Sequence, residues 1–123
     1  MPRPRHSLAA AFVCAARGIG RFSRGRNAQI QIVCGVLTLI AALIVRVSYI
    51  EWLVLILCIT GVLSVEAINT AIERAVDLTT THLHPIARDA KDIAAGAVLL
   101  ACVGSAVIGV IVLGPKIIAL VRI

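Results

Sequence analysis

The residues with the clearest capacity for chemistry lie in the segment EAINTAIERAVD, from Glu66 to Asp77. At about 100° per residue in an α-helix, Glu66, Asn69, Thr70, Glu73 and Asp77 share one stripe of the helix surface. The segment directly continues the apolar run WLVLILCITGVLSV. Because a charged side chain in the middle of a bilayer costs about 3 kcal/mol even on a lenient scale, the stripe is expected to face protein, water or a cation.

A second group of polar residues follows in LTTTHLHPIARDAKD. Pro85 predicts that one helix has ended and another begins nearby. If these two helices pack as a hairpin, Lys91 and Asp92 lie beside the acidic stripe. A lysine close to carboxylates favours a site for phosphate and a divalent metal ion, because Mg²⁺ is typically held by one or two carboxylates together with substrate phosphates.

Each of these features also has a plainer interpretation. Arg88 and Lys91 are equally typical of an anchor to the anionic inner leaflet. Asp77 could simply lie in water at the end of the helix. This explanation is weak for Glu66, which is expected to lie deeper in the membrane. His82 and His84, with no cysteine nearby, are weak grounds for a zinc site.

The composition indicates the environment of the helices that carry these residues. Of 123 residues, 60% are hydrophobic and only 15% are charged, whereas soluble domains are closer to half apolar and a quarter charged. A globule this small cannot bury so much apolar surface. We therefore expect an all-α membrane protein. A formal net charge of +6 with 3% aromatic residues favours a membrane surface over a nucleic-acid partner.

The chain is expected to form one domain, residues 1–123, with three transmembrane helices at about 30–50, 52–72 and 93–113 and a loop at 78–92. A spanning helix needs roughly 20 apolar residues, and the second run reaches that length only if the turn containing Glu66 is counted. Tyr49 and Trp52 are placed where aromatic residues mark a membrane interface. The basic N-terminus followed by a retained span favours a membrane anchor over a cleavable signal peptide.

The basic residues predict the orientation. Nine lie before the first span or between the second and third, and three lie on the other side. The nine are Arg3, Arg5, Arg17, Arg21, Arg24, Arg26, Arg74, Arg88 and Lys91, and the three are Arg46, Lys116 and Arg122. By the positive-inside rule, the N-terminus and the 78–92 loop are cytoplasmic in a multi-pass protein of the bacterial inner (cytoplasmic) membrane.

Residues 1–27 are expected to form a cytoplasmic surface helix. In SLAAAFVCAARGIGRF, the side chains of Leu8, Phe12, Ala15 and Ile19 share one side at helical spacing, and Ser7 is a suitable N-cap. This pattern favours an amphipathic helix on the inner leaflet. The alternative is an orientation signal without a defined fold.

Two patterns concern packing. Ala97, Ala101, Ser105 and Gly109 recur every fourth residue, which predicts close approach to another helix, either within the chain or in an oligomer. Since three spans make a thin bundle, we expect a homo-oligomer. The four cysteines lack C-x-x-C spacing and are predicted to be small buried apolar side chains rather than metal ligands or disulfides.

Together, EAINTAIERAVD and the following HLHPIARDAKDIAAGAVLL resemble the prokaryotic diacylglycerol kinase and undecaprenol kinase family. The similarity extends to FVCAARGI, to RNAQIQ at the start of the first span and to GP after the third. The resemblance implies a small integral-membrane kinase, usually a homotrimer, that transfers the γ-phosphate of Mg-ATP to a lipid primary alcohol at the cytoplasmic interface.

The resemblance also assigns roles to residues. It makes Glu66 the catalytic carboxylate that takes the proton of the lipid hydroxyl, and Glu73 the Mg²⁺ ligand. It implies ATP contacts at Glu73, Asp77, His82, Leu83, His84, Lys91 and Asp92. It implies lipid-substrate contacts at Glu66, Asn69, Asn27 and Gln31.

One departure from the family pattern concerns the metal. The family usually has Glu or Gln two residues before the Asn that opens the first span, and this chain has Gly25 there. The resemblance makes that acid a second metal ligand, so Glu73 lacks its partner. Alternatives to a kinase are therefore a catalytically silent homologue or an ion- or proton-coupled membrane protein. The residues alone do not distinguish diacylglycerol from undecaprenol as acceptor.

Overall fold

The computed structural model describes residues 7–122, which form four α-helices and no strand within that range. Helix α1 runs over Leu8–Phe22, α2 over Arg26–Val45, α3 over Tyr49–Thr79 and α4 over Pro85–Val121. The all-α prediction is confirmed. The first six residues of the predicted 1–27 segment, including Arg3 and Arg5, lie outside the described residues.

Three of the four described helices, α1, α3 and α4, begin at a residue whose side chain accepts a hydrogen bond from a free N–H group. Ser7 Oγ accepts a hydrogen bond from Ala10 N at 3.2 Å, which confirms the predicted cap. Ser48 and Glu51 form a reciprocal capping box at the start of α3, in which Glu51 Oε2 accepts from Ser48 N at 2.7 Å. Such a pair satisfies two helix N–H donors at once.

The turn between α2 and α3 comes earlier than the predicted end of the first span. Helix α2 ends at Val45 because Arg46 adopts the left-handed conformation, with φ 53° and ψ 61°, which terminates a helix. Tyr49 and Ile50, predicted as the last residues of the first span, instead open α3. The cap at Ser48 explains why the next helix starts there.

The predicted loop at 78–92 is shorter in the structure. Helix α3 continues to Thr79 and α4 begins at Pro85, which leaves 80–84 as the non-helical segment. Proline is well suited to the first helical position because it has no N–H group and its φ is fixed. Lys91 and Asp92 consequently sit on a helix, two turns after its start.

The three long helices run up, down and up, and α3 and α4 pack along each other as a hairpin. The tightest packing is at the end where α2 turns into α3. There Ala42, Val47 and Leu55 are buried, and Trp52 and Leu113 pack against them. We call this the closed end. Lys116 Nζ and Glu51 Oε2 form an ion pair at 3.3 Å that joins α4 to the start of α3.

Three helices, α2, α3 and α4, are long and apolar enough to cross a membrane. Their outward surfaces carry large exposed apolar side chains, including Leu57, Leu100 and Val110. At 1.5 Å per residue, α3 and α4 are about 46 and 55 Å long, whereas the hydrocarbon core is about 30 Å thick. Their ends therefore extend beyond it.

Two packing predictions turn out differently within this chain. The cysteines are not buried: Cys14 and Cys34 are exposed, Cys58 and Cys102 are half-buried, and all four are free thiols. The small residues of α4 are not covered by another helix, since a Cβ placed on Gly109 would have no atom within 4 Å. The reason is that α2, α3 and α4 leave a mostly apolar groove of about 640 Å³ open between them, which Leu55 and Gly109 line. Packing of these residues against a second chain stays a prediction.

Candidate active site

Glu66 is buried in the middle of the helices, with 4% of its surface exposed. Its Oε2 accepts a hydrogen bond from Gln31 Nε2 of α2 at 3.2 Å, and Thr70 Oγ1 donates to its backbone carbonyl oxygen at 3.0 Å. The carboxylate therefore faces protein, as the cost of exposing it to hydrocarbon requires.

Asn69 and Glu73 continue the same stripe one turn further along α3. Asn69 is buried, with 5% of its surface exposed, and its Nδ2 donates to Glu73 Oε1 at 3.3 Å. Glu73 itself is exposed. Burial thus falls off along the stripe from Glu66 towards the end of α3.

Asp77 and Lys91 join the ends of α3 and α4. Lys91 Nζ donates to Asp77 Oδ1, and the two side chains are 39% and 64% exposed respectively. Glu73 also lies within Coulombic range of the Lys91 ammonium group. The hairpin therefore places Lys91 beside the acidic stripe, as the sequence predicted.

A polar cleft of about 810 Å³ lies between the end of α3, the 80–84 segment and the start of α4. It brings together six residues that were expected to contact ATP. They are Asp77, His82, Leu83, His84, Lys91 and Asp92. Glu73 does not line the cleft, but Asp77, one turn further along α3, does.

Of the four residues expected to contact the lipid, three lie together in the structure and one lies apart from them. Gln31, Glu66 and Asn69 lie close together inside the helices. Asn27 is exposed in the first turn of α2, so the structure does not bring it into this buried group.

Some polar groups of the site were not predicted from the sequence. Arg88 lines the polar cleft, and its Nε is 3.9 Å from Asp92 Oδ2. The sequence feature that could have predicted this contact is the position of Arg88 four residues before Asp92, which allows an i,i+4 ion pair on a helix. The direct contact between Gln31 and Glu66 was also missed, although Gln31 is the last amide side chain before the apolar run of α2, a position that favours a polar partner.

Two buried oxygen atoms have no hydrogen-bond partner among residues 7–122, Gln31 Oε1 and Asn69 Oδ1. Buried polar atoms are nearly always paired in proteins. Both oxygens are acceptors, and both belong to residues that touch an acid of the stripe. Gln31 Oε1 can therefore accept a hydrogen bond from a donor that enters the site, and Asn69 Oδ1 can bind either a donor or a cation.

The residues present fit a divalent cation only in part. No group of three His, Cys, Asp or Glu side chains suited to a metal ion occurs in the described chain. Glu73 and the free Asn69 Oδ1 supply one carboxylate and one amide oxygen, which are ligand types that Mg²⁺ accepts when substrate phosphates and water complete its shell. This donor set suits a metal that arrives with a phosphate.

Gly25 stands at the N-cap of α2 with φ −68° and ψ 143°. This backbone conformation is open to any L-residue, so the glycine is not required for the turn. A Cβ at this position would lie 3.3 Å from the Phe22 carbonyl oxygen. A side chain at this position therefore requires the Phe22 carbonyl group to shift by a few tenths of an ångström.

Comparison with known proteins places the chain in a family. Residues 13–113 match the family model described as prokaryotic diacylglycerol kinase. The chain is 45% identical to the undecaprenol kinase of Bacillus subtilis (strain 168) over 106 residues, which cover 85% of this chain and 86% of that protein. The chain therefore belongs to the prokaryotic diacylglycerol kinase family and is a lipid kinase.

Two further relatives are matched over less of their length. The chain is 39% identical to the diacylglycerol kinase of Synechocystis sp. (strain ATCC 27184 / PCC 6803 / Kazusa) over 80% of itself and 57% of that protein. It is 50% identical to the diacylglycerol kinase of Helicobacter pylori (strain ATCC 700392 / 26695) over 43% of itself and 41% of that protein.

Proposed function

We propose that this protein transfers the γ-phosphate of ATP to the hydroxyl group of a membrane lipid, with Glu66 as the general base. The observation that carries the proposal is the graded polar stripe of α3. It begins at the buried Glu66 and ends at Asp77, whose partner Lys91 lines the polar cleft. Such a stripe connects a hydroxyl arriving from the bilayer with a phosphate arriving from water.

The depth of each residue along α3 supports this arrangement. With Trp52 at one interface, Glu66 lies about 21 Å along the helix, Glu73 about 31 Å and Asp77 about 37 Å. The hydrocarbon core is about 30 Å thick. Glu66 then lies within the core, Glu73 at its edge and Asp77 in the aqueous phase.

The proposed reaction is a direct transfer. The lipid hydroxyl oxygen attacks the γ-phosphorus, the bond from that phosphorus to the β,γ-bridging oxygen breaks, ADP leaves, and the hydroxyl proton passes to the Glu66 carboxylate. Phosphoryl transfer needs chiefly positioning and charge stabilisation from a protein. Lys91 and Arg88 in the polar cleft are placed to bind the phosphates, and Asp77 orients Lys91.

The ATP-binding side is proposed to involve Glu73, Asp77, His82, Leu83, His84, Lys91 and Asp92. Glu73 and Asn69 would hold Mg²⁺, which supplies neutralisation of phosphate charge when it is bound. Gln31, Asn69 and Asn27 would lie on the lipid side. A homotrimer is the proposed assembly, following the family resemblance.

Helix α1 is proposed to lie on the cytoplasmic leaflet. Leu8, Phe12 and Ile19 share one side of it and are 76%, 70% and 67% exposed. Arg17 and Arg21 fall on the opposite side at helical spacing. This division suits a helix with its apolar side in the bilayer and its cations at the headgroups.

The acceptor is diacylglycerol or undecaprenol. The match to the undecaprenol kinase covers 86% of that protein, and the match to the cyanobacterial diacylglycerol kinase covers 57% of that one. This difference favours undecaprenol. An assay that offers both lipids in the same micelles with radiolabelled ATP measures the preference directly.

The Glu66→Gln variant tests the general base. This isosteric change removes the proton acceptor, and general bases typically contribute 10²- to 10⁴-fold to the rate. We expect lipid phosphorylation to fall by about that factor while ATP binding, measured by calorimetry, is retained, because Glu66 lies outside the polar cleft.

Glu51→Gln is the matched control, since Glu51 is an acid of the same helix at its other end. It should keep near-normal turnover. Near-normal turnover in Glu66→Gln would remove Glu66 from the mechanism. A wild-type protein that labels neither lipid would contradict the proposed activity and favour a silent homologue.

A further inference from the structure

Three consecutive threonines, Thr79, Thr80 and Thr81, stand where α3 ends and the 80–84 segment begins. Thr80 and Thr81 line the polar cleft, and Thr79 does not. A threonine hydroxyl is a weak nucleophile that an adjacent base can activate. The cleft proposed for ATP therefore contains hydroxyl groups of the protein itself, in the same aqueous phase as the nucleotide.

The three hydroxyl groups differ in their hydrogen bonds. Thr79 Oγ1 donates to the Val76 carbonyl oxygen at 2.7 Å. Thr80 Oγ1 donates to the His82 carbonyl oxygen at 3.0 Å and accepts from His82 N at 3.1 Å. Thr81 is exposed, and its hydroxyl forms no hydrogen bond with another side chain or backbone group of residues 7–122. Of the three, it is therefore the hydroxyl that is free to turn towards a bound phosphate.

The cleft also contains cations that a phosphate group can recruit. Arg88 and Lys91 line it together with Thr81. Arg88 is paired with Asp92 and Lys91 with Asp77, and all four side chains are at least 39% exposed. Because exposed ion pairs contribute little to stability, a phosphate can replace these carboxylates at small cost.

A proton acceptor follows the free hydroxyl directly in the chain. His82 is the next residue after Thr81 and lines the same cleft. Its two hydrogen bonds to Thr80 use backbone atoms only, so its imidazole is available. Histidine is the side chain that most often serves as a general base.

We propose that Thr81 is an autophosphorylation site, to which the protein transfers the γ-phosphate of ATP when no lipid alcohol is present. The Thr81 hydroxyl oxygen attacks the γ-phosphorus, the bond from that phosphorus to the β,γ-bridging oxygen breaks, ADP leaves, and the hydroxyl proton passes to the His82 imidazole. The inference rests on the proposed function, since it uses the same nucleotide in the same cleft. It adds a second acceptor, the protein itself.

Phosphorylation of Thr81 is expected to inhibit the kinase. A phosphothreonine carries a charge of about −1.5 to −2 at pH 7 and offers three strong acceptor oxygens. On Thr81 it is tethered in the cleft that Arg88 and Lys91 line. It therefore competes for the cations that are proposed to bind the phosphates of ATP. Lipid alcohol opposes this inhibition by taking the γ-phosphate first.

The first test incubates the purified protein with radiolabelled ATP and Mg²⁺ in detergent without a lipid alcohol, followed by phosphopeptide mapping. We expect the label on Thr81. Thr81→Val keeps the shape of the side chain and should lose the label, whereas Thr81→Ser restores a hydroxyl and should keep it. Thr79→Val is the matched control, because Thr79 is bonded to Val76 outside the cleft. It should be labelled like the wild type.

The second test measures lipid phosphorylation by protein that has first been incubated with ATP alone. Its KM for ATP should rise about tenfold, the effect of losing one charge-assisted contact to the nucleotide. Thr81→Val should keep the original KM after the same incubation. A chase with lipid alcohol and unlabelled ATP should leave the label on the protein, because Thr81 is a separate acceptor and not an intermediate.

Four results would overturn the inference: label on Thr79 or Thr80, equal labelling of Thr81→Val and the wild type, transfer of the label from protein to lipid in the chase, and an unchanged KM for ATP after labelling. Lipid phosphorylation by a protein that never labels itself would also overturn it and leave the proposed function intact. Label on Thr81 without phosphorylation of either lipid would contradict the proposed transfer to lipid and leave Thr81 as an acceptor.

Discussion

At the residue scale, the informative feature is a carboxylate that is buried with a single side-chain amide donor. Glu66 accepts from Gln31 Nε2 at 3.2 Å, and no lysine or arginine within the described chain forms an ion pair with it. A buried charge without a countercharge is costly. Ionisable side chains inside membrane helices are rare and are typical of functional sites.

Replacement of Gln31 by leucine tests whether this amide positions Glu66, the proposed general base. The change removes the donor to Glu66, and a hydrogen bond to a charged group contributes about 1.5–3 kcal/mol. We expect kcat to fall about tenfold to hundredfold with the KM for ATP unchanged.

The matched control for this variant is Gln29→Leu, two residues earlier on α2 at an exposed position. It should leave kcat at the wild-type value. If Gln31→Leu lowers stability but not kcat, the amide has a structural role and the proposed positioning is wrong.

The glycine at position 25 allows a test of metal binding by addition of an acid. In Gly25→Glu, a carboxylate stands where the family resemblance places a second metal ligand. We expect the Mg²⁺ concentration for half-maximal activity to fall about three- to tenfold, because an added carboxylate strengthens a site that has few.

Gly20→Glu adds the same charge on α1, where a Cβ meets nothing within 4 Å. It should not change the Mg²⁺ requirement. An equal shift in both variants would mean that the effect is a general surface charge, and no shift in either would mean that Gly25 is remote from the metal.

At the element scale, the α3–α4 hairpin determines the geometry of the proposed ATP site. The end joined by the 80–84 segment brings Lys91 to Asp77, and the closed end holds Lys116 against Glu51. The two ion pairs thus mark opposite ends of the same helix pair. Because only the first lies in the polar cleft, they should differ in function.

Lys91→Met and Lys116→Met separate these two roles. We expect Lys91→Met to raise the KM for ATP about tenfold, which corresponds to about 1.4 kcal/mol, by removing a cation from the phosphates. Its thermal stability should change little, because exposed ion pairs contribute about 0–1 kcal/mol.

Lys116→Met should instead lower the thermal unfolding temperature and leave the KM for ATP unchanged, since its ion pair with Glu51 is only about one-third exposed or less. The measurements are steady-state kinetics and unfolding in the same detergent. A normal KM for ATP in Lys91→Met would show that this cation anchors α4 to the membrane surface and does not bind nucleotide.

At the scale of the whole molecule, the proposed function requires that the end of the bundle opposite the closed end lies in the cytoplasm. The 80–84 segment lies at that end, and the start of α3 lies at the other. The excess of basic residues predicts this orientation. The proposed mechanism depends on this orientation, because ATP is available only on the cytoplasmic side.

Cysteine labelling in intact cells tests the orientation. In a background with the native cysteines replaced by alanine, Leu83→Cys and Tyr49→Cys place thiols at side chains that are 103% and 77% exposed. A membrane-impermeant maleimide should label the second and not the first. Lysed cells should give labelling of both, and the reverse pattern in intact cells would exclude the proposed mechanism.

Much of the architecture follows from local patterns. The apolar runs predict three spanning helices, Pro85 and Ser7 predict helix starts, and the spacing of Glu66, Asn69, Glu73 and Asp77 predicts a shared stripe. These features depend on residues within a few turns of each other, so the sequence contains them directly. The same reasoning misplaced the α2–α3 turn, because a left-handed Arg46 has no distinctive pattern.

The sequence by itself determined the membrane environment, the helices and the acidic stripe, since each depends on composition or helical period. Only the tertiary structure decided that Gln31 meets Glu66 and that three helices leave a mostly apolar groove open between them. Contacts between residues 35 positions apart depend on how helices rotate and tilt against one another. Side-chain packing along their whole length determines that rotation, and no single stretch of sequence encodes it.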